Sequence, residues 1–165
     1  MMCTVHLQRD TIVDAATEIL DTYGLADMTM RRVATQLQVA PGALYWHVPN
    51  KQALLAAVAA RILSPCLSAG APSDAREFCG LLYEQLRSVT DAADVVAAAL
   101  APAESPLRSA LHEQLRARLS GVDDAELVAD ALVLLIVGAT AREQLAGSDT
   151  PSVVAAYVDL VLRGC

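Results

Sequence analysis

The chain has 165 residues, of which 55% are hydrophobic, 19% are charged and 4% are aromatic, and its formal net charge is −7. This composition predicts a packed globular protein and argues against an intrinsically disordered chain. The longest apolar run, residues 127–141, contains an aspartate and falls short of the ~20 residues needed to cross a bilayer, so we expect no membrane association.

The N-terminus and the cysteines indicate the compartment. Residues 1–10 have no cationic stretch followed by an apolar run, so we expect no signal peptide. The four cysteines, Cys3, Cys66, Cys79 and Cys165, are scattered without a C-x-x-C pair, which fits neither a zinc site nor a disulfide framework. We therefore predict a cytoplasmic protein with no metal and no cofactor.

Helical periodicity extends over nearly the whole chain, and no segment alternates as a strand does, which predicts an all-α fold. In a first helix, apolar residues recur at positions 12, 13, 16, 19, 20 and 23, and Gly24 ends it. Thr29 is a good N-cap for a short second helix whose inward positions are 33, 34 and 37.

Two prolines bound a third helix, because Pro41 suits a first helical turn and Pro49 ends the helix after about two turns. Asn50 then caps a fourth helix, with apolar residues at 54, 55, 58 and 62, which ends before Pro65. Beyond it the spacing predicts further helices at about 73–90, 92–100, 105–120, 123–146 and 151–163.

A short link, "QVA" at 38–40, joins the second and third helices, which is typical of a helix-turn-helix. At 100° of rotation per residue, Leu44, Val48 and Pro41 lie near one side of the third helix and face inward. The other side then consists of Gly42, Ala43, Tyr45 and Trp46, with His47 at the flank. Large aromatic side chains on an outward helix face indicate a docking surface.

The charge is unevenly distributed around this motif. Residues 28–51 include Arg31, Arg32 and Lys51 and no acid, a local charge of +3, so the other residues carry −7 − 3 = −10. The local field at a contact, rather than the net charge, decides whether a surface attracts phosphates. We interpret Arg32 as a solvated surface charge, and we predict that this region can dock on DNA.

Two stretches, "MTMRRVATQ" at 28–36 and "LQVAPGALYWHVPNKQALLAAV" at 37–58, resemble the DNA-binding domain of the TetR (tetracycline-repressor) family of bacterial regulators. The "LYWHV", "NK" and "ALL" segments are especially similar to the tetracycline repressors themselves, and the similarity covers roughly residues 8–63. It implies a helix-turn-helix DNA-binding domain at 1–51, a connecting fourth helix at about 50–64, and a helical ligand-binding and dimerisation domain at 65–165.

The resemblance also implies a role for residues of the third helix and its neighbour. This helix would lie in the major groove, where Tyr45 would contact base edges and the sugar-phosphate backbone. Trp46 and His47 would contact phosphates, and Lys51, at the start of the fourth helix, would contact another.

On the second helix, Thr29 matches a backbone contact, and Arg31 matches a position that often pairs its guanidinium with O6 and N7 of a guanine. Pro41, Gly42 and Ala43 depart from the tetracycline repressors, whose equivalent residues are larger or polar and contact bases. These small residues imply a different operator, with contacts to thymine methyl groups in place of hydrogen bonds to bases.

The C-terminal helices are expected to join two copies, because a palindromic operator is read by two recognition helices about 34–36 Å apart. The apolar sequences of the last two predicted helices indicate that two copies form a four-helix interface across a two-fold axis. A helix buried within a monomer would have an equally apolar sequence. The predicted interface residues are Leu127, Ala131, Leu134, Leu135, Gly138, Val154, Tyr157 and Val161.

The resemblance further implies that the C-terminal helices bind a small-molecule effector. The candidate polar contacts are Tyr83, His112, Gln114 and Thr140, with Gln85 and Glu143 as further ones. Each of these side chains is equally compatible with a surface position or with a local hydrogen bond.

These features predict a homodimeric repressor that leaves its palindromic operator when a small, largely apolar ligand binds. One alternative is an all-helical small-molecule-binding protein or enzyme that does not act on DNA, and another is DNA binding without an effector. The sequence contains no H-x-x-E, G-x-S-x-G or glycine-rich phosphate loop, so we expect no enzymatic activity.

Overall fold

The computed structural model describes residues 7–147 and 152–164. These residues form an all-α fold without a strand, as predicted, and residue 151, the predicted start of the last helix, lies outside them. The helices are α1 (Arg9–Tyr23), α2 (Met30–Gln36), α3 (Pro41–Leu44), α4 (Lys51–Ile62), α5 (Ala75–Arg87), α6 (Ala92–Leu100), α7 (Pro106–Arg118), α8 (Ala125–Ala146) and α9 (Val154–Arg163).

Side chains cap the N-termini of four helices. Thr29 and Asn50, both predicted as caps, accept the backbone N–H three residues ahead at 3.2 and 2.8 Å. Asp74 and Ser105 cap α5 and α7 in the same way. Each cap satisfies an amide that has no partner within its helix and stabilises it by about 1 kcal/mol.

The helix α3 is shorter than the two turns predicted for it. Its regular part, Pro41–Leu44, is a single turn, and a tight turn continues to His47, whose N–H donates to the carbonyl of Leu44 at 3.0 Å. The Val48 N–H also donates to the Leu44 carbonyl, at 2.8 Å, and Pro49 then ends the segment, because its ring disfavours the helical conformation of the preceding residue.

One continuous hydrophobic core joins the first three helices to the C-terminal ones. The helix α4 packs against both α1 and α6, and its buried residues are Leu54, Leu55, Val58, Ala59 and Ile62. The helix α8 packs against α5, α6, α7 and α9. The packing of α4 on α6 therefore fixes how the N-terminal helices sit on the rest of the chain.

A second connection joins the turn after α1 to the turn between α5 and α6. The Leu25 N–H donates to Asp91 Oδ2 at 2.8 Å, and Thr90 donates from its N–H to Asp21 Oδ1 at 3.0 Å and from its hydroxyl to the Asp21 carbonyl at 2.9 Å. Gly24 has φ of 82° and ψ of 175°, a conformation open essentially to glycine alone, and a Cβ there would lie 2.9 Å from Asp91 Oδ2. We call this contact the α1/α6 junction.

Gln144 of α8 holds the C-terminal side of the junction in place. Its amide nitrogen donates to the carbonyls of Leu86 and Val89 at 3.0 Å each, and its oxygen accepts the Ala93 N–H at 3.3 Å. One side chain thus satisfies three backbone groups around the turn between α5 and α6.

The link between α2 and α3 contains a residue in the left-handed conformation. Gln38 has φ of 56°, its N–H donates to the Thr35 carbonyl at 3.1 Å, and the Val39 N–H donates to the Ala34 carbonyl at 3.0 Å. These two bonds are a Schellman motif, in which the left-handed position is usually occupied by glycine.

We predict that Gln38→Gly stabilises the protein by about 0.5–1 kcal/mol, because the strain of a side chain at positive φ outweighs the chain entropy that glycine loses on folding. Thermal unfolding, followed by circular dichroism at fixed protein concentration, should show a rise in Tm of about 1–4 °C. Gln38→Val should lower Tm, since a β-branched side chain fits this conformation worst. Equal Tm values for the three proteins would contradict the assignment.

Candidate functional site

Two buried side chains anchor α3 in the core. Leu44 is 0% exposed and Val48 is 1% exposed, as the helical phase predicted. Pro41, which was predicted to face inward with them, is instead exposed, because it occupies the first turn at the outer end of the helix. That prediction was wrong.

The opposite side of α3 is open to solvent. Trp46 is 90% exposed and Tyr45 is 50% exposed, although these are among the largest apolar side chains of the protein. Gly42 and His47 are exposed as well, and Ala43 is half-buried. Leaving a tryptophan in water forgoes the free energy of burying it, so this face has the character of a docking surface.

The cations of the motif are not equivalent. Arg32, interpreted above as a solvated charge, has its Nη1 2.8 Å from Asp27 Oδ1, and its guanidinium lies 4.1 Å from the centre of the Tyr23 ring. Asp27 lies just before the acid-free segment, which is why the interpretation from charge alone missed the pair. Arg31 and Lys51 are exposed, and neither forms an ion pair within the described residues.

Thr29 and Lys51 both lie at the N-terminus of a helix. The hydroxyl oxygen of Thr29 caps α2, and Thr29 and Arg31 line one side of an open cleft of about 600 Å³ on the outer face of that helix. Lys51 is the first residue of α4, directly after the Asn50 cap. In sequence, Arg31 precedes the exposed aromatic face of α3 and Lys51 follows it. The helix that carries Arg31, α2, packs against α3.

Comparisons with known proteins identify this architecture. The sequence model described as "Bacterial regulatory proteins, tetR family" matches residues 12–58. The structure of BioQ from Mycobacterium smegmatis is 38% identical, with a TM-score of 0.83 over 96% of this chain and 97% of that chain. The chain belongs to the TetR family. A structure of BioQ with its double-stranded DNA operator is equally similar in identity, coverage and TM-score.

Two further TetR-family proteins extend the comparison. The class D tetracycline repressor of Escherichia coli is 45% identical over 59 residues, which are 36% of this chain and 27% of that protein. The chain thus spans about a quarter of the length of this curated relative. A TetR variant from Acinetobacter baumannii, solved with minocycline, is 25% identical, with a TM-score of 0.81 and coverage of 96% of each chain.

Three of the four residues predicted to contact an effector are hydrogen-bonded within this TetR-family protein. The Tyr83 hydroxyl donates to Glu143 Oε2 at 2.7 Å, and desolvation raises the pKa of Tyr83. Thr140 is fully buried and donates to the Ile136 carbonyl at 2.7 Å. Their role in ligand binding stays a prediction.

The other two candidates lie on α7. His112 Nε2 is buried and makes no hydrogen bond among the described residues, although it lies 3.3 Å from Asp130 Oδ1. Gln114 Oε1 accepts a hydrogen bond from Arg118 Nη1 at 3.0 Å. His112 lines an open polar cleft with cations of the same helix, Arg108 and Arg116. As with Tyr83 and Thr140, their role in ligand binding stays a prediction.

An apolar cleft that the sequence did not predict lies between α4 and the region where α6 leads into α7. Its volume is about 590 Å³, within the range of small-molecule sites. One wall is the alanine stripe of α4, at positions 53, 56, 57 and 60, and the facing wall includes Leu107 and Pro106. The i, i+3, i+4, i+7 spacing of these alanines is visible in the sequence, but only the fold reveals the wall opposite.

Large apolar side chains are exposed along α8 and α9, at Leu127, Leu134, Leu145, Tyr157 and Leu160. The predicted positions Ala131 and Gly138 are exposed on this face too, and positions 135 and 161 are half-buried. Val154 is the exception: it is buried inside the protomer, so its placement on the interface was wrong. Leu145 was missed, although it follows Gly138 by one heptad.

Two other features bear on chemistry. Burial raises the pKa of Cys66 to about 11 and that of Cys79 to about 12, so both remain unreactive thiols at neutral pH. Among the described residues, no cluster of His, Cys, Asp and Glu could hold a metal ion.

None of the helices in the described part of the chain is long and apolar enough to span a bilayer.

The two sides of α3 provide a matched pair of substitutions. We predict that Leu44→Ala costs about 2–5 kcal/mol of unfolding free energy, because it leaves a cavity in the core. Trp46→Ala should change the same quantity by no more than about 0.5 kcal/mol, since the indole is exposed. Urea unfolding followed by far-ultraviolet circular dichroism measures both, and equal costs would contradict the orientation of α3.

Proposed function

We propose that this TetR-family protein is a DNA-binding transcriptional regulator, a repressor that binds a palindromic operator as a homodimer and is released by a small molecule. The observation that carries the proposal is the exposed aromatic face of α3, anchored by Leu44 and Val48 and flanked by the exposed cations Arg31 and Lys51. The named relatives are regulators, and BioQ has been solved on its operator, which favours this function over an enzymatic one.

In this proposal α3 enters the major groove. Tyr45 contacts base edges and backbone, while Trp46, His47 and Lys51 contact phosphates. On α2, Thr29 contacts the backbone and Arg31 pairs with a guanine, for which its guanidinium fork has the matching geometry. A DNA-binding role is consistent with a location in the cytoplasm.

A homodimer accounts for the apolar face of α8 and α9. Five large side chains are exposed there, a pattern that in soluble proteins marks an interface. Pairing this face across a two-fold axis would form a four-helix bundle and present two copies of α3 to successive major grooves.

The apolar cleft beside α4 is the candidate effector site, although none of the four polar residues predicted from the sequence lines it. Its alanine, leucine and proline walls suit a largely apolar compound, and its rim includes Gln52, whose amide donates to the Ala98 carbonyl of α6 at 2.9 Å. A ligand there would bias the packing of α4 on α6 and thereby the position of Lys51 and α3. Release requires that the ligand bind one arrangement of these helices better than the other.

DNA binding is tested with a duplex selected by the wild-type protein from a random double-stranded library. We predict that Tyr45→Ala weakens binding to this duplex by about fivefold or more, because a base contact is worth about 1–3 kcal/mol. Lys51→Ala should reduce the slope of log affinity against log salt by about 0.9 for each phosphate that the lysine neutralises. Fluorescence anisotropy measures both quantities.

The control for Lys51→Ala is Arg116→Ala, which removes the same charge from an exposed position on α7. It should leave the salt slope of DNA binding unchanged. Wild-type affinity in both Tyr45→Ala and Lys51→Ala would contradict the assignment of this face.

Dimerisation is tested at Leu134, which is exposed in the protomer. We predict that light scattering at micromolar concentration gives twice the 17.4 kDa of one chain for the wild type and 17.4 kDa for Leu134→Glu. A glutamate at this position would have to be buried unpaired in the interface. Ala69→Glu, at an exposed position in the turn after α4, should remain dimeric. A dimeric Leu134→Glu would place the interface elsewhere.

A further inference from the structure

One side of α8 follows the spacing of a coiled-coil seam. Apolar residues and a glycine recur there at intervals of four and three positions, and we call them the α8 seam: Leu127, Ala131, Leu134, Gly138, Ala141 and Leu145. This spacing keeps all six residues on one side of the helix, where they can contact a single partner helix along its length. The buried residues of α8, including Ile136, lie on the opposite side and face the core of the protomer.

The α8 seam is uncovered in the protomer. Leu127, Leu134 and Leu145 are 68%, 66% and 83% exposed, so no side chain in the described part of the chain buries them. An open groove of about 400 Å³ lies over Gly138 and is bounded by Tyr157 of α9. The seam therefore combines large side chains that lack a cover with a hollow that can accept one.

The order of large and small residues along the seam is self-complementary. Its members form three pairs placed symmetrically about position 136: Leu134 with Gly138, Ala131 with Ala141, and Leu127 with Leu145. Across a two-fold axis, residue i of one copy contacts residue j of the other, and j contacts i. Two antiparallel copies of α8 centred on position 136 therefore place leucine opposite glycine in the central layers, alanine opposite alanine in the next, and leucine opposite leucine at the ends.

Other arrangements of two α8 helices match the seam less well. A shift by one heptad in either direction leaves two of the six residues without a counterpart on the seam of the other copy. A parallel pair would set Leu134 against Leu134 and Gly138 against Gly138, which crowds one layer and leaves a void in another. Protein interiors are packed closely enough that both defects weaken an interface.

The exposed charges of α8 favour the same direction. The start of the helix carries Asp124 and Glu126, and the only exposed charged residue of its second half is Arg142. An antiparallel pair brings the acidic start of one copy towards the end of the other that carries Arg142, whereas a parallel pair brings the acids together. The antiparallel direction also opposes the two helix dipoles.

We infer that the α8 helices of two copies pack antiparallel, with the two-fold axis level with position 136 and Leu134 of each copy packed over Gly138 of the other. The inference rests on the proposed homodimer and deepens it, because it specifies the direction, the register and the paired residues of the interface. Gly138 lets the two helices approach closely where the leucine of the other copy enters the groove beside Tyr157.

Engineered disulfides test the register. Ala131→Cys and Ala141→Cys are combined in one chain, in which Cys3 and Cys165 are replaced by serine. The two remaining cysteines are buried. Under mild oxidation with copper phenanthroline, this variant should form a covalent dimer on a non-reducing gel, because position 131 of each copy faces position 141 of the other.

Matched variants control for accidental cross-linking. Ala131→Cys alone and Ala141→Cys alone should stay non-covalent, because in this register each position lies about 15 Å along the seam from its own copy. Two further pairs report a shift by one heptad in either direction: Leu127→Cys with Gly138→Cys, and Leu134→Cys with Leu145→Cys. Both pairs should remain non-covalent under the conditions that cross-link positions 131 and 141.

An exchange of the central residues tests the packing. Gly138→Leu sets two leucines against each other and Leu134→Gly leaves a cavity, so each should weaken dimerisation about tenfold or more, measured by sedimentation velocity on dilution. The double variant restores large opposite small and should regain about tenfold or more over either single variant. A Cβ at position 138 meets no atom of the protomer within 4 Å, and the same holds for Gly80 on α5. Gly80→Leu is therefore the matched control and should dimerise like the wild type.

The outcomes separate this inference from the homodimer on which it rests. A dimeric protein whose 131/141 pair forms no disulfide, or in which a shifted pair forms one, would overturn the register and leave the proposed function intact. Failure of the double variant to regain affinity would overturn the contact of Leu134 with Gly138. A monomeric wild type would overturn the proposed homodimer together with the inference.

Discussion

Burial of Leu44 and Val48 in the common core holds α3 in place, and the exposed face of that helix depends on this anchorage. A single helical turn has no stability of its own in water, because nucleating it fixes several residues for one hydrogen bond. Here the turn is ordered by the core beneath it and by a Schellman motif before it. The side that presents Tyr45 and Trp46 is consequently held in place by the core, although Trp46 is 90% exposed and Tyr45 is half exposed.

The elements of the fold could be read from the sequence because their ends are set by local chemistry. Gly24, Thr29 and Asn50 end or cap helices through their own backbone preference or their own side-chain oxygen, and the structure uses them in those roles. The spacing of apolar residues likewise identified the buried residues of α1 and α4, except that Tyr23, at the end of the predicted stripe of α1, is 55% exposed. The predicted length of α3 was wrong because Pro49 marks only the last possible residue of the helix, whereas the regular helix gives way to a tight turn after Leu44.

The site was less predictable, because its remaining features depend on contacts between residues that are distant in sequence or that lie just outside the acid-free segment at 28–51. The ion pair of Arg32 escaped prediction since its partner Asp27 precedes the acid-free segment. Val154 is apolar, as an interface residue would be, yet it is buried within the protomer at the start of α9. The cleft beside α4 needs a wall from α4 and another from the start of α7, and no pattern within either helix indicates that they face each other.

The α1/α6 junction has a consequence for how docking of the two halves can be observed. The amide proton of Leu25 lies in a turn, where no helical bond protects it, and its acceptor is a carboxylate 66 positions further along the chain. Exchange of this proton with solvent is slowed only while the turn between α5 and α6 is in contact. Leu25 is thus a reporter of this junction: its hydrogen-exchange rate measures how often the contact between the two turns opens, whether by local opening or by unfolding of either half.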